Sequence, residues 1–338
     1  MKRIFTLLFA VLTATTIMAQ MHGPMKFVGA SNMTVSTMSN DNPSDTILFA
    51  MNGMESGNIT LPAMKGMQTI PSFTISGAKF TLGENHVVTF ADQTFSAKVT
   101  VDGEEKNITG SSLSGTYNMA DNSLMLTVVF QYGKMPFSMT YTVKGYYVKA
   151  VSNPIAVTVG GQFTYNNDNV TYELRRYNDG GTDKLDVTVP SYSLANTVMG
   201  DLTLGTYTVK GLVYDEAQGG YYRDYKNDGL SFHFKAVKNG ATAMDKDYEF
   251  AKEKPNNILV KYEGSNVSSI VNTFQMGAMP FGIVSVFSGA TTSINDITTT
   301  PHQHITTTPA AQYNLAGQRV DNNYKGIVIV NGKKYLRK

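Results

Sequence analysis

The sequence predicts an all-β protein with two antiparallel β-barrels in tandem and a small C-terminal β module. Three observations predict this fold class: apolar and polar residues alternate along most of the chain, turn residues separate the alternating stretches, and one sixteen-residue segment occurs twice. Helical periodicity is almost absent. Short alternating strands at regular spacing are typical of antiparallel sandwiches and barrels.

Size and composition indicate a folded chain with more than one core. The chain has 338 residues, whereas single cores rarely grow beyond about 250 to 300 residues. It is 42% hydrophobic and 16% charged, too apolar for a disordered protein. Without Lys2 and Arg3, which lie in the leader described next, 26 basic residues balance 26 acidic ones, which argues against nucleic acid as a partner. The lack of cysteine excludes disulfides and thiolate sites.

Residues 1–19 have the order of a secretory signal peptide. Lys2 and Arg3 are followed by an apolar stretch and then by small residues before Ala19. The alternative is a transmembrane anchor, which needs about 20 apolar residues, and three threonines between positions 13 and 16 argue against it. We therefore expect an exported chain without a transmembrane span, located in the periplasm, at the outer-membrane surface or outside the cell.

An internal repeat sets the domain organisation. Phe130–Gly145 (FQYGKMPFSMTYTVKG) aligns with Phe274–Gly289 (FQMGAMPFGIVSVFSG) with seven identities in sixteen positions. Asn58–Pro62 (NITLP) similarly resembles Asp186–Pro190 (DVTVP). Two homologous domains follow, with Pro154 at the boundary between them.

Each copy shows the pattern of β-hairpins. Phe95 to Val101 alternates, and Asp102 with Gly103 then predicts a tight turn. Further hairpins are predicted for two more pairs of segments, namely Thr46–Met51 with Asn58–Pro62, and Thr171–Tyr177 with Lys184–Val189. Turn signals predict about eight to ten strands per copy.

The composition changes after the second copy. A segment rich in threonine and proline predicts a linker, and the last residues alternate again around Ile327–Val330 before a turn at Asn331 and Gly332. The predicted segments are a signal peptide 1–19, barrel 1 at 24–152, barrel 2 at 153–290, a linker 291–311 and a tail 312–338.

Several of these motifs resemble a known family. The strand openings at Gly29 and Gly161, the NITLP and DVTVP strands, and the repeated MPF segment resemble the calycin-like β-barrel domain of exported Bacteroidetes proteins. The tail Tyr313 to Lys338 looks like a short form of the C-terminal sorting domains of the same phylum. The resemblance implies two calycin/lipocalin-like barrels, which as a class often hold apolar ligands in the barrel cup, and an export machinery that recognises the tail.

Residues that carry enzymatic chemistry are few. The five histidines lie at positions 22, 86, 233, 302 and 304, and no pair on a predicted strand has metal-ligand spacing. His302 and His304 are close in sequence, but they lie in the predicted linker and would need further ligands to hold a metal. Acid pairs such as Glu104 with Glu105 lie in turns, where turn chemistry explains them. Asp179 to Asp183 only faintly resembles a calcium loop. We therefore predict no catalytic residues, no metal and no cofactor.

Methionines and tyrosines admit two interpretations. Twelve of the 18 methionines lie between Met21 and Met139, either as core filling, which we favour, or as the lining of an apolar pocket. Aromatic residues of the second copy serve either as strand formers or as stacking platforms for sugars, and they are Tyr207, Tyr214, Tyr221, Tyr222, Tyr225, Phe232 and Phe234.

The sequence favours a non-enzymatic protein that binds a small apolar or amphipathic ligand, or a surface glycan, in a barrel cup. The alternative is a structural or adhesion-type surface protein with barrels filled by side chains. A hydrolase acting on glycans is less favoured, since it needs two carboxylates about 5 to 10 Å apart in a cleft. The binding residues are not identified; the repeated residues Met135, Pro136, Phe137, Met279, Pro280 and Phe281 are expected to be structural, with each Phe pointing into its barrel.

The leader generates a prediction about processing. We expect cleavage after Ala19, so that the exported chain begins at Gln20, because the small residues before Ala19 suit signal peptidase. N-terminal sequencing of the exported protein measures this. An intact leader in a detergent-requiring fraction would contradict it.

Overall fold

The computed structural model describes residues 23–65, 69–83, 86–277 and 279–289, together with 312–314, 319–320, 326–330 and 333–337 of the C-terminal region. Every regular element in these residues is a β-strand, which confirms the predicted all-β class. None of them forms a helix with the length and hydropathy that a membrane crossing requires. The signal peptide 1–19 and the linker 291–311 lie outside the described residues.

Barrel 1 is built from the strands of the first copy. They are β1 (Met25–Val35), β2 (Met38–Met51), β3 (Ser56–Leu61), β4 (Met64–Lys65), β5 (Thr69–Ile70), β6 (Phe73–Lys79), β7 (Thr81–Leu82), β8 (Val87–Val101), β9 (Glu104–Asn118), β10 (Ser123–Tyr132) and the first half of β11 (Met139–Val159). From β11 the sheet runs in one direction through β1, β2, β3 and β6, and in the other through β10, β9, β8 and β7. Beside β6 the Gln93 amide of β8 takes the place of a backbone partner, since it bonds both the N–H and the carbonyl of Lys79 at 2.8 Å.

Barrel 2 is a closed ring of eight antiparallel strands. Its chain order is β11, β12 (Phe163–Asp179), β13 (Thr182–Val189), β14 (Tyr192–Thr197), β15 (Gly200–Leu204), β16 (Tyr207–Asp215), β17 (Gly220–Asp224), β18 (Ser231–Lys238), β19 (Ala241–Glu249), β20 (Asn257–Glu263), β21 (Asn266–Phe274) and β22 (Ile283–Ser288). The ring runs β11, β12, β13, β16, β17, β20, β21, β22 and returns to β11. The remaining four strands form a separate antiparallel sheet in the order β14, β15, β18, β19.

Strand β11 belongs to both barrels. Its first residues pair with β1 and β10, from Val35 opposite Met139 to Phe27 opposite Tyr147. Its later residues, from Val148 onward, pair with β12 and then with β22. The closing strand of barrel 1 and the opening strand of barrel 2 are therefore one continuous strand of 21 residues.

Each barrel has its own core. The interior of barrel 1 contains Phe49, Phe80 and Phe90 with ring centroids 5.3 to 5.8 Å apart, and the interior of barrel 2 contains Tyr207, Phe232 and Phe250 with centroids 5.0 to 5.8 Å apart. The two sets of buried apolar residues share no member. Odd-numbered residues of β11 point inward in both barrels, including Tyr141 in barrel 1 and Val157 in barrel 2.

The predicted hairpins are confirmed. Asp102 and Gly103 join β8 to β9 with φ angles of 53° and 80°, as a type I′ turn requires. β2 pairs with β3, and β12 pairs with β13. β3 and β13 hold equivalent places, each between the second strand of its barrel and a following strand, as the NITLP and DVTVP segments predict.

One expectation about the copies is wrong. Gly29 lies inside β1, where a side chain would come within 2.6 Å of the Gly145 Cα, so close strand approach explains this glycine. Gly161 instead lies in the turn after β11, with a φ of 71°, so the two glycines are not equivalent. Pro154, the predicted boundary between the two copies, does not break the strand that the barrels share. It lies within β11 at a shift in register with β12, a place where a strand tolerates proline.

Polar side chains fix one barrel against the other. Lys26 of β1 forms an ion pair with Glu173 of β12 at 2.8 Å. Arg175 donates to the Val28 carbonyl of barrel 1 at 3.0 Å and to the buried carboxylate of Asp186. Asp186 also accepts from the Gly211 amide at 2.8 Å. These contacts hold the barrels in one orientation about β11.

The C-terminal region contains a second compact unit, separate from the unit of the two barrels. Its strands are β23 (Gln312–Asn314), β24 (Arg319–Val320), β25 (Gly326–Val330) and β26 (Lys333–Arg337), in the antiparallel order β24, β23, β25, β26. The predicted strand at Ile327–Val330 is confirmed, and Val330 pairs with Lys333. The predicted turn residues Asn331 and Gly332 lie outside the described residues.

The shared strand generates a prediction about fragments. We expect 24–152 and 153–290 each to fold, and fragment 148–290 to melt at least about 5 °C above 153–290. The reason is that Val148 to Ser152 pair with β12. Thermal melts followed by circular dichroism measure this. As the control, 24–147 and 24–152 should melt alike, because these five residues pair with nothing in barrel 1; equal melts of the two barrel 2 fragments would contradict the role of the shared strand.

Candidate functional site

The repeated MPF segments form equivalent loops at the ends of the barrels. They connect β10 to β11 and β21 to β22, and in each the Met amide donates to the carbonyl three residues earlier, Met135 to Tyr132 at 3.2 Å and Met279 to Met276 at 2.9 Å. Both methionines are half-buried against the core of their own barrel. The repeat therefore preserves a loop geometry as well as a sequence.

The expectation that Phe137 and Phe281 point into their barrels is wrong. Each side chain is 51% exposed. The ladders begin only at Met139 and Ile283, so each Phe lies in the loop beyond the end of the barrel. Pro136 and Pro280 lie outside the strands, as expected of residues without an amide hydrogen.

The two MPF loops lie at opposite ends of β11. The first precedes Met139, and the second precedes Ile283, which pairs with Val159. Twenty residue steps at about 3.3 Å separate these ends by about 65 Å along the strand. In each barrel the end away from the MPF loop lies at the middle of β11, so these two equivalent ends meet there.

Several acids and one histidine of the described residues have structural partners. Glu104 pairs with Lys106, and Glu105 with Lys98, both at 2.6 Å, and the two acids begin strand β9 directly after the turn rather than lying in the turn as expected. His233 lies on the exposed face of β18 between Asp247 and Asp245, whose hydrogen bonds raise its pKa. No group of three metal-ligating acids or histidines occurs within the described ranges. His302 and His304 lie outside them.

Buried side chains fill most of each barrel interior, and a cavity of about 300 Å³ at one end of barrel 1 is lined by residues that include Asp45 and Tyr141. The carboxylate of Asp45 in barrel 1 accepts from the Tyr141 hydroxyl at 2.9 Å and from Ser31. Burial, and next to it the Asp45 charge, raises the pKa of Tyr141 well above its usual value. In barrel 2 the Asn272 amide bonds the hydroxyls of Tyr207 and Tyr225 at 2.6 and 2.8 Å. These polar groups are satisfied inside the cores.

A groove lies where the two barrels meet, and we call it the junction groove. Its volume is about 670 Å³, within the range of small-molecule sites. It is lined by Asn122, Tyr147, Lys149, Leu174, Arg176, Asp183, Tyr214, Gly219, Gly220, Tyr221, Tyr262, Gly264 and Ser265. Asn122 and Tyr147 come from barrel 1, and the other side chains come from barrel 2 and its half of β11.

Tyrosine rings form the walls of the junction groove. Tyr221 packs edge-to-face against Tyr214 at 5.7 Å and against Tyr262 at 5.9 Å. Tyr214 is 52% exposed, whereas Tyr221 is buried and supports it. Tyr147 packs on Phe27 of the barrel 1 core at 5.9 Å. The rings are therefore held in place before any ligand binds.

Charged groups lie among these rings. The Arg176 guanidinium bonds the Asp183 carboxylate, with its Nε 2.9 Å from both oxygens, and lies 5.5 Å from the Tyr221 ring centroid. The Tyr221 hydroxyl also donates to Asp183. Hydrogen bonds from Arg176 lower the pKa of Asp183, and burial raises the pKa of Tyr262 to about 12. Asp183 is thus ionised and the tyrosines are neutral near neutral pH.

The sequence identified only part of this groove. Tyr214 and Tyr221 are among the aromatic residues for which the sequence left two interpretations open, strand formers or stacking platforms for sugars, whereas Tyr207, Tyr225, Phe232 and Phe234 are core residues. Tyr147, Lys149, Arg176 and Tyr262 were missed, because the junction brings them together from distant strands. The available signal was Tyr147 and Lys149 on one strand that continues past the end of the first copy.

The chain matches the family model of the calycin-like beta-barrel domain at residues 26–146 and at residues 154–290. It is also similar to a solved structure from Bacteroides fragilis, provisionally described as an outer membrane protein, with 15% identity and a TM-score of 0.26. That alignment covers 80% of this chain and 98% of the other. No curated protein matches the chain.

The exposure of the repeated Phe generates a prediction about stability. We expect Phe137→Ala to change the melting temperature by no more than about 2 °C, because its side chain is half exposed. Phe130 is fully buried in the same barrel, so Phe130→Ala should lower the free energy of unfolding by about 3 to 5 kcal/mol. In barrel 2 the corresponding variants are Phe281→Ala, which should leave the melting temperature nearly unchanged, and Phe274→Ala, which should lower it strongly. Thermal melts decide, and a large loss for Phe137→Ala would contradict the loop position.

Proposed function

The chain belongs to the calycin-like β-barrel domain family, and from this premise we propose that it is a non-enzymatic binding protein whose ligand occupies the junction groove. The observation that carries the proposal is the groove itself, with walls of fixed tyrosines and charged groups between them. Such a surface suits an amphipathic ligand with flat apolar faces and a polar rim. The proposal places the ligand where the two barrels meet, at the end of barrel 2, since Leu174 and Tyr221 of the groove lining also belong to the barrel 2 core.

The charged groups of the groove favour binding over hydrolysis. A glycan hydrolase requires two carboxylates about 5 to 10 Å apart. Asp183 is the one carboxylate among the residues that line the groove, and Arg176 and Tyr221 already bond it. A carboxylate held in this way orients its neighbours and keeps its charge, which serves recognition.

Export completes the proposal. The signal peptide 1–19 directs the chain out of the cytoplasm, and the tail 312–338 serves as a recognition element for an export machinery. Its compact β unit, distinct from the unit that contains the barrels, is compatible with a separate role. The protein then acts in the periplasm, at the outer-membrane surface or outside the cell.

A surface-interaction role is the second candidate, and the exposed Phe137 and Phe281 favour it. Both copies present the same half-exposed ring on the same loop. Because the loops lie at opposite ends of β11, they suit contacts with two separate surfaces rather than one.

The groove can be tested with the amphipathic fluorophore 8-anilinonaphthalene-1-sulfonate. We expect one saturable site on the native full-length chain, and a roughly three- to tenfold weaker affinity in Tyr214→Ala because one ring contact is lost. Fluorescence titration measures this, with circular dichroism to verify the fold. Phe163→Ala is the matched control, since its ring is 50% exposed, against 52% for Tyr214, and does not line the groove.

Two results would contradict the proposal. One is equal affinity of Tyr214→Ala and the native chain. The other is a loss of binding in Phe137→Ala or Phe281→Ala with Tyr214→Ala unaffected, which would favour the surface-interaction candidate.

A further inference from the structure

Lys149 is a cation of the junction groove without an anionic partner. It lies on β11 just beyond the junction and is half-buried. Its Nζ donates to the Ser265 carbonyl at 2.8 Å, and it forms no ion pair with any carboxylate of the described residues. An ammonium group has three donors, so two remain for a ligand.

The other two charges of the groove cancel each other. Arg176 and Asp183 form a two-pronged ion pair. With Lys149 the groove therefore carries a formal charge of +1. Burial lowers the pKa of Lys149, which means that its charged form has lost part of its hydration. An anion beside Nζ would restore the lost stabilisation.

The rest of the groove matches the faces of sugar rings. A pyranose has an apolar C–H face and an equatorial rim of hydroxyls, so it packs on an aromatic ring while its edge makes hydrogen bonds. Tyr214 offers an exposed ring, and Asn122 and the Tyr262 hydroxyl offer polar groups at other points of the lining. A volume of about 670 Å³ has room for more than one ring.

We propose that the junction groove binds an acidic oligosaccharide, with a uronic acid carboxylate at Lys149 Nζ and a pyranose ring against Tyr214. This inference rests on the proposed function and specifies its ligand class. A carboxylate fits one point charge with two free donors, whereas a phosphate group is usually held by several cations or backbone amides, and Arg176 is already engaged.

The test uses ligand pairs in which the carboxylates of the acid are replaced by uncharged methyl esters. The ligands are tri-galacturonate, tri-mannuronate and a hyaluronan tetrasaccharide, each with its methyl-esterified form, titrated into the full-length chain by calorimetry. We expect at least one acid to bind about tenfold or more tightly than its neutral ester, the size of one charge-assisted hydrogen bond. Raising the salt concentration should reduce this preference and leave the binding of the ester unchanged.

Variants of the lysine assign the preference to one atom. Lys149→Met keeps the length of the side chain without its charge and should bind acid and ester equally, and Lys149→Arg should regain part of the preference. Lys98→Met is the control, because Lys98 lies on the outer hairpin of barrel 1 and does not line the groove. Circular dichroism of each variant verifies the fold.

The outcomes separate this inference from the function on which it rests. Equal affinity for acid and ester, a preference that survives in Lys149→Met, or no binding of any acid would overturn the inference. If in those cases the fluorophore still depends on Tyr214, the proposed function stands with a different ligand class. If the fluorophore does not depend on Tyr214, the proposed function fails as well.

Discussion

Strand β11 runs without a break from Met139 to Val159 and pairs first with barrel 1 and then with barrel 2. A backbone that satisfies its hydrogen bonds with barrel 1 up to Tyr147 and with barrel 2 from Val148 leaves no residues for a flexible connection. The equivalent ends of the two barrels must therefore face each other. The junction groove exists because these two ends, each with its own turns, cannot close completely around a single strand.

Polar contacts then decide the angle at which the barrels meet. Arg175, Asp186 and Lys26 bridge β1, β12 and β13 at the junction. Replacing a buried ion pair by apolar residues often costs little stability. We therefore assign the Arg175–Asp186 pair to fixing the orientation of the barrels rather than to stabilising the fold. Here the orientation matters, because it sets the distance between Tyr147 of barrel 1 and the tyrosines of barrel 2.

Local features could be predicted from the sequence, and features that depend on the junction could not. The Asp102–Gly103 turn followed from alternation and turn chemistry, since both act between neighbouring residues. Pro154 is predicted as the boundary of the copies, and what the sequence does not show is that β11 continues through it, where a register shift with β12 accommodates the proline. Phe137 was placed inside by extending the alternation two residues beyond the true start of the ladder. The groove required knowing that residues 122, 149 and 262 meet, and no periodicity carries that information.

The unbroken alternation of β11 restricts how such a tandem protein can change in length. Because odd-numbered residues face inward on both sides of the junction, inserting one residue between Tyr147 and Val151 would turn the inward set of one barrel outward. Two inserted residues would restore the phase. Natural variants of this double barrel should therefore differ at the junction by even numbers of residues, because only such insertions or deletions keep the inward residues of both barrels inward.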